Sequence, residues 1–574
     1  SWTNSMMYMN TILLDTQIPE SAGISIEFQI PLTSKRIDFI ITGLNDFKKE
    51  HVIVIELKQW STANLTDKDA IVKTMFQHGE SETAHPSYQA WSYASMISNY
   101  NSTVQDDEIT IMPYAYLHNY SPDNVIKNIF YKYYLEKAPV FLKPDAVKLR
   151  EFIKKYIKYG DDKDILYKIE NGRIRPSKQL VDCLSSMLNG NNEFIMIDDQ
   201  KVVYETSVSL AQKAKVNKKI VLIVEGGPGT GKSVVAINLL VNLTKLGLVT
   251  KYVSKNSAPR EVYSVRLSGV KKKTEISNLF GGTGSFIDVE SNIFDVLLVD
   301  EAHRLNLKSG LYQNLGNNQV IEIINASKFS VFFVDDYQQI HIKDVGSCNY
   351  IESIAKQKGA VVKKLKLESQ FRCNGSDGFL SWLDNTLQIR ETANINLSKN
   401  EFDFKVFDDL NELKKIIFEK NKINNKARMV AGYCWDWVSP NNKSKTDINF
   451  PEFNFGMKWN LKTDGSRWII GDDSINEIGC IHTCQGLELD YIGVIIGEDL
   501  RFEDNKIITD VLKRSKNDKS IIGIKKLLKE NKSKALIIAD KIIKNTYRTL
   551  MTRGMKGCYI YCCDKKLANY IHSR

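Results

Sequence analysis

Lys219 to Glu225 reads KIVLIVE, a short apolar run rich in β-branched residues and closed by Gly226-Gly227-Pro228. A run that is apolar at every position, rather than at alternate ones, predicts a strand buried on both faces of a parallel sheet. Ser233 to Leu246 (SVVAINLLVNLTKL) then has the length and spacing of a helix. Further apolar runs at Val249 to Val253, Val296 to Val299 and Val331 to Val334 alternate with helical stretches, which predicts a doubly wound α/β sheet. The runs at Val430 to Tyr433, Tyr491 to Ile496 and Cys558 to Tyr561 repeat that pattern and imply a second sheet in tandem. Near the start, Ile26 to Ile30, Arg36 to Ile41 and His51 to Lys58 read as three more strands.

Polar breaks near Asn189 to Asn192 and Asn394 to Asn400 divide the chain into 1–190, 191–393 and 394–574. At about 100–200 residues per domain, 574 residues leave room for three to five domains. No apolar stretch reaches the roughly 18 residues of a membrane span, and the first ten residues lack a secretory signal pattern; Ser1 reads as a processed end. Nine cysteines, none before Cys183, fit a reducing cytoplasm, and the groups Cys480/Cys484 and Cys558/Cys562/Cys563 read as ordinary buried thiols. The net charge is +10, and the last 74 residues alone carry an excess of 12 positive charges. A concentrated basic surplus favours an anionic partner such as nucleic acid, although a solvated lysine-rich surface would give the same count.

Gly226-Gly227-Pro228-Gly229-Thr230-Gly231-Lys232-Ser233 fits G-x-x-x-x-G-K-[ST] and lies between a strand and a helix, as a phosphate-binding loop must. Gly226, Gly229 and Gly231 let backbone N–H groups wrap the phosphates of ATP. Lys232 reaches the outer phosphates and the Ser233 hydroxyl ligates Mg²⁺. Downstream, the apolar strand Val296 to Val299 ends in Asp300-Glu301. At the carboxyl end of a parallel strand, Asp300 is placed to hold Mg²⁺ and Glu301 to polarise the attacking water.

Asp300-Glu301-Ala302-His303 resembles motif II of superfamily 1 helicases. Asp335-Asp336-Tyr337-Gln338-Gln339 resembles motif III, Gln370-Phe371-Arg372 motif IV, Gly479 to Asp490 motif V and Tyr547 to Gly554 motif VI. The wording of these motifs is most similar to the Schlafen group 3-like DNA/RNA helicases of prokaryotes. That resemblance implies two RecA-like domains with ATP between them. It makes Gln338 a γ-phosphate sensor, Arg372 and Arg553 γ-phosphate-contacting arginines, and Glu488 a nucleotide-site residue of the second domain. The chain departs from the family pattern in a lysine-rich insertion, Lys506 to Lys544.

In the N-terminal region Glu56-Leu57-Lys58 ends a strand, so Glu56 and Lys58 share one face while Leu57 packs on the other. Asp38, Glu56 and the Leu57 carbonyl give oxygen ligands for Mg²⁺ or Mn²⁺, with Lys58 orienting or deprotonating water. Gln89 and Tyr93 follow at helical i, i+4 spacing. This order resembles RecB-like PD-(D/E)xK nucleases, which implies an N-terminal nuclease fold with Asp38, Glu56, Lys58, Gln89 and Tyr93 as its site. Glu27 is a candidate upstream acid; His78 and His85 read as loop residues.

Trp435, Trp437, Phe450, Phe453, Phe455, Trp459 and Trp468 read as the private core of a small β-insertion, with base stacking as the alternative. The resemblances imply an ATP-dependent nuclease–helicase acting on DNA more than RNA, of the type found in anti-phage defence. The alternatives are an ATP-gated sensor of foreign nucleic acid or of a phage protein that does not unwind, and a helicase whose N-terminal region only binds. A homo-oligomer or a phage-derived trigger remains open.

Overall fold

The computed structural model describes the chain apart from residues 1, 31–32, 34, 78, 173–194, 216–217, 256–266, 268–272, 310–314, 369–376, 398–401, 440–444, 461–467, 469–470, 472 and 485–488. The chain divides into two compact units, Ser1–Gln212 and Lys213–Arg574. The expected break near Asn189 to Asn192 lies outside the described residues.

In the first unit a five-stranded sheet runs in the order Gly23–Gln29, Arg36–Leu44, Glu50–Lys58, Thr110–Leu117, Val140–Leu142. The first three strands are antiparallel and the last two join in parallel. The first strand is a half-exposed edge, whereas Glu50–Lys58 is buried along nearly its whole length. Helix Pro86–Tyr100 is well started: Pro86 needs no N–H partner at the first position, and His85 caps the end by accepting the Ser87 N–H. A small antiparallel sheet, Ala63–Leu65 with Ile71–Phe76 and Gly79–Ala84, completes the strands of this unit.

The second unit holds two larger sheets. The first is wholly parallel, in the order Phe280–Gly281, Thr250–Ser254, Phe294–Asp300, Ser327–Val334, Ile220–Gly226, Val361–Leu367. Its central strands are the continuous apolar runs of the sequence, and its edge Val361–Leu367 is half-exposed and lysine-rich, which discourages pairing with another chain. The second sheet runs Asp403–Phe407, Gly554–Cys562, Leu489–Ile496, Ala427–Ala431, Glu477–Gly479, Phe455–Trp459, Ile448–Phe450, parallel except for its last pair. The aromatic-rich stretch supplies those last two strands. Phe450, Phe455, Trp459 and Trp468 are buried, and Trp435, Trp437 and Phe453 pack partly buried against them, so these rings build a core. Among the described residues no helix is long and apolar enough to cross a membrane.

Candidate functional site

In the second unit the carboxyl ends of adjacent parallel strands converge. Strand Ile220–Gly226 enters a loop in which Gly229 and Gly231 take φ of +78° and +79°, a left-handed region that glycine enters without a Cβ clash. The turn delivers the chain into helix Lys232–Lys245. Thr230 Oγ1 donates to the Gly227 carbonyl at 3.0 Å, and the buried Lys232 ammonium donates to the carbonyls of Gly226 and Gly227 at 2.7 and 2.6 Å. The lysine therefore lies across the mouth of the loop.

Asp300 ends strand Phe294–Asp300. Its Oδ2 accepts from Ser233 Oγ and from the Tyr252 hydroxyl, both at 2.6 Å, and its Oδ1 accepts the Glu301 N–H at 2.9 Å. Burial, then the adjacent Glu301 charge, raises the Asp300 carboxyl. Glu301 itself sits at a left-handed φ of +53°, strain that a non-glycine residue carries only where its surroundings hold it. His303 Nε2 lies 3.0 Å from Glu301 Oε2. The other ring nitrogen accepts the Asp335 N–H at 3.2 Å, so the nitrogen facing Glu301 is the one that carries a proton. Burial alone would push Glu301 upward. His303, Arg553 and Lys232 outweigh it and hold the carboxyl well below its ordinary value.

Residues from the second sheet reach the same place. Arg553, which directly precedes strand Gly554–Cys562, donates from Nη2 to Gln338 Oε1 at 3.2 Å. Gln338 in turn donates to Asp335 Oδ2 at 2.8 Å. Beside the loop lies a cavity of about 420 Å³ lined by Glu225, Pro228, Tyr337, Glu368, Arg390 and Arg548 among others. The Tyr337 ring carries the guanidinium groups of Arg548 and Arg390 at 5.4 and 5.7 Å, and both arginines pair with the fully buried Asp384.

Gly226, Gly229, Gly231, Lys232, Ser233, Asp300, Glu301, Gln338 and Arg553 thus come together around one loop. Arg372 and Glu488 lie outside the described residues. Tyr252 escaped the sequence reading, as did the stacking of Arg548 and Arg390 on Tyr337. A tyrosine in a neighbouring strand carries no motif, and the arginine stack joins positions more than 150 residues apart. The Ser233 hydroxyl and the Asp300 carboxylate, already in contact, are the pair that suits a hydrated Mg²⁺, an ion that keeps several of its waters.

A second cluster lies in the first unit. The ladder between Arg36–Leu44 and Glu50–Lys58 ends at Phe39 and Ile55, and beyond it Asp38 Oδ2 accepts the Leu57 N–H at 2.7 Å. Glu56 and Lys58 share the opposite face from Leu57, and the Lys58 ammonium donates to Glu56 Oε1. Glu56 is 3% exposed, and its Oε2 has no hydrogen-bond partner. Burial, then the Asp38 charge, raises the Glu56 carboxyl well above its ordinary value. Burial would lower Lys58, but Glu56 and Asp38 outweigh it and keep the ammonium above its ordinary value. Gln89 Nε2 donates to the Tyr93 hydroxyl at 3.0 Å, one helical turn apart as expected. An orphaned, buried carboxylate oxygen beside a second carboxylate is a donor set that fits Mg²⁺ or Mn²⁺. Among the described residues, however, no three His, Cys, Asp or Glu side chains already converge into a metal cage.

Glu27 lies on the neighbouring edge strand, between the positions paired with Phe39 and Ile37. It interrupts the edge ladder at a left-handed φ of +57° and pairs with Arg36 at 3.5 Å. His85 lies in the connection between Gly79–Ala84 and Pro86–Tyr100, as expected of a loop residue, where it is buried and caps the helix; His78 lies outside the described residues.

Comparison with known proteins gives a family and, among other matches, more distant likenesses. Residues 219–564 match the family model described as Schlafen group 3, DNA/RNA helicase domain. An uncharacterized protein of Saccharomyces cerevisiae, YPL245W, is 26% identical over 383 residues, covering 60% of this chain and 82% of that protein. A crystal structure of a DNA replication initiation factor aligns at a TM-score of 0.19 and 15% identity, over 42% of this chain and 64% of that one.

Proposed function

The chain belongs to the Schlafen group 3 DNA/RNA helicase-domain family, and from that premise we propose that it is a nucleic-acid-dependent ATPase that translocates on or unwinds DNA. The observation that carries this reading is the meeting of Arg553 from one sheet with Gln338, beside Glu301 and Lys232, from the other. Lys232 binds the outer phosphates. Ser233 and Asp300 are the residues that would hold Mg²⁺, which supplies charge neutralisation of the phosphoryl group. Glu301, kept ionised, accepts a proton from the attacking water or orients it. Arg553 adds positive charge where negative charge develops, and it does so only when both sheets are in register. Gln338, bonded to both Arg553 and Asp335, links that register to the state of the nucleotide.

The test is phosphate release by the full chain with and without single- and double-stranded DNA and RNA. Stimulation by nucleic acid and its loss in Lys232→Ala and Glu301→Gln are expected. Rates like the wild type in both variants would refute the assignment, and phosphate release without strand displacement would favour the sensor reading.

A second reading concerns the first unit, favoured by the orphaned Glu56 Oε2 next to Asp38. It is a PD-(D/E)xK-type nuclease in which Asp38, Glu56 and the Leu57 carbonyl would hold Mg²⁺ or Mn²⁺, an ion that would supply water activation and charge neutralisation. Lys58, paired with Glu56, orients the water. Cleavage of labelled DNA in manganese by the wild type, and none by Glu56→Ala, is the expected outcome. Equal cutting by both would place the activity elsewhere. No cutting by either would leave the unit a binding module. Coupled to translocation, cutting fits defence against invading DNA in the cytoplasm.

A further inference from the structure

Helix Asp198–Lys213 begins with a carboxylate that the sequence pattern does not single out. Asp198 belongs to the first unit and its side chain is 15% exposed. Its Oδ2 is fully engaged: the Tyr93 hydroxyl donates to it at 2.6 Å, and the Lys35 ammonium lies 3.0 Å away. Its Oδ1 is buried and has no hydrogen-bond partner. The same description fits Glu56, whose Oε1 takes Lys58 and whose Oε2 is buried and unpartnered. The two acids are neighbours, because each contributes to the electrostatics of Tyr93 and Asp198 contributes to that of Glu56. A protein interior that leaves two carboxylate oxygens without donors lacks positive or polar partners at those atoms. Lys58 and Lys35 engage one oxygen of Glu56 and one of Asp198, and the other oxygen of each acid is left without a donor.

We infer that Asp198 is a third acid of the divalent-cation site, holding the ion through a bound water on its Oδ1, and that Gln89 and Tyr93 are positioning residues that aim it. This rests on the reading of the first unit as a metal-dependent site. Contact through water is required because no three carboxylates already converge, and it suits Mg²⁺, which gives up its hydration shell reluctantly. The chain of donors runs one way. Gln89 Nε2 donates to Tyr93, whose own proton goes to Asp198 Oδ2, so the hydroxyl is spent on the acid and Oδ1 is turned away from it. The i, i+4 pair on helix Pro86–Tyr100 thereby acquires a physical task. Two helices distant in sequence are fixed against each other so that one carboxylate oxygen faces the cation.

Mn²⁺ binding to the full chain, followed by the electron paramagnetic resonance of the free ion, separates this inference from the reading beneath it. The variants are Glu56→Gln, Asp198→Asn and Tyr93→Phe, each with thermal unfolding recorded without metal. Wild type should bind and Glu56→Gln should not. Asp198→Asn, which keeps shape, should bind about 10- to 100-fold more weakly. Tyr93→Phe should bind about 5-fold more weakly, the worth of one lost hydrogen bond. The manganese needed for half-maximal cleavage should rise in parallel, with the rate at saturating manganese recovering. If Asp198→Asn unfolds early, Tyr93→Phe, which removes only the orienting hydroxyl, carries the same test. Wild-type affinity in Asp198→Asn and Tyr93→Phe, with Glu56→Gln still defective, would overturn the inference and leave the nuclease reading intact. No Mn²⁺ binding by the wild type would overturn both.

Discussion

Two adjacent carboxylates in the second unit are pushed in opposite directions, Asp300 up and Glu301 down, and the cause is local. Both are buried, but Glu301 faces His303, Arg553 and Lys232, while the Asp300 shift is led by burial and the charge of Glu301 itself. Neighbouring acids driven apart in this way divide between ligand and base roles. Glu301→Gln should therefore keep ATP bound and slow its hydrolysis by about 100- to 10,000-fold, read in a single-turnover assay. A different residue gives a pH prediction. His85 is fully buried, its Nε2 donates to the Ile126 carbonyl at 2.9 Å, and burial lowers its pKa to about 4. The folded state thus keeps it neutral while the unfolded chain takes up a proton below about 6.5. Stability from this group is complete above pH 6.5 and is lost as the pH falls toward 4, by up to about 3 kcal/mol. His85→Asn, which can still cap the helix, should flatten the fall in denaturant midpoint of the first unit between pH 7 and 5. At this scale the phosphate loop and the paired acids were legible because their chemistry demands contiguous residues. Tyr252 and Asp198 were not, because each reaches its partner across tens of residues with no fixed spacing.

Strands and helices were read more completely than single contacts. Runs such as KIVLIVE and YIGVII became central strands since burial on both faces leaves no polar positions to confuse the period. The aromatic stretch was read in part: its rings are buried as expected, but in the shared core of the seven-stranded sheet, with Leu413, Met429 and Tyr561, rather than in a private one. Hidden from the sequence was the role of the lysine-rich insertion. Part of it is interior: Arg514 is fully buried between Asp518 at 2.6 Å and Asp499 at 3.6 Å, and the Tyr547 hydroxyl donates to Asp499. Charge counts cannot distinguish such an arginine from a solvated one. Arg514→Met would strand two buried carboxylates and should destabilise the second unit by about 3–5 kcal/mol, measured by urea unfolding of the full chain. Replacing Arg514 and both acids together by apolar residues should restore much of that loss.

At the scale of the whole molecule, several other insertion lysines lie on the surface. Lys525, Lys526, Lys529, Lys532 and Lys534 are all exposed. If about six such charges touch B-DNA phosphates, log K should fall with log[salt] with a slope of about −5, and charge-removing substitutions there should flatten it without changing ATP affinity. A slope near zero would make them a solvated face. The two compact units should also be separable chemically, with Asp38→Ala removing metal-dependent cleavage while leaving ATP hydrolysis at the wild-type rate. The proposal that one composite site couples nucleotide to nucleic acid depends most on Arg553, the residue that the second sheet contributes. Its direct test is single-turnover ATP hydrolysis by Arg553→Ala with saturating nucleic acid, alongside equilibrium ATP binding. Binding should stay within a few-fold of wild type while hydrolysis falls by about 1,000-fold or more and stimulation by nucleic acid disappears. Hydrolysis at the wild-type rate, or stimulation that survives without the arginine, would contradict it.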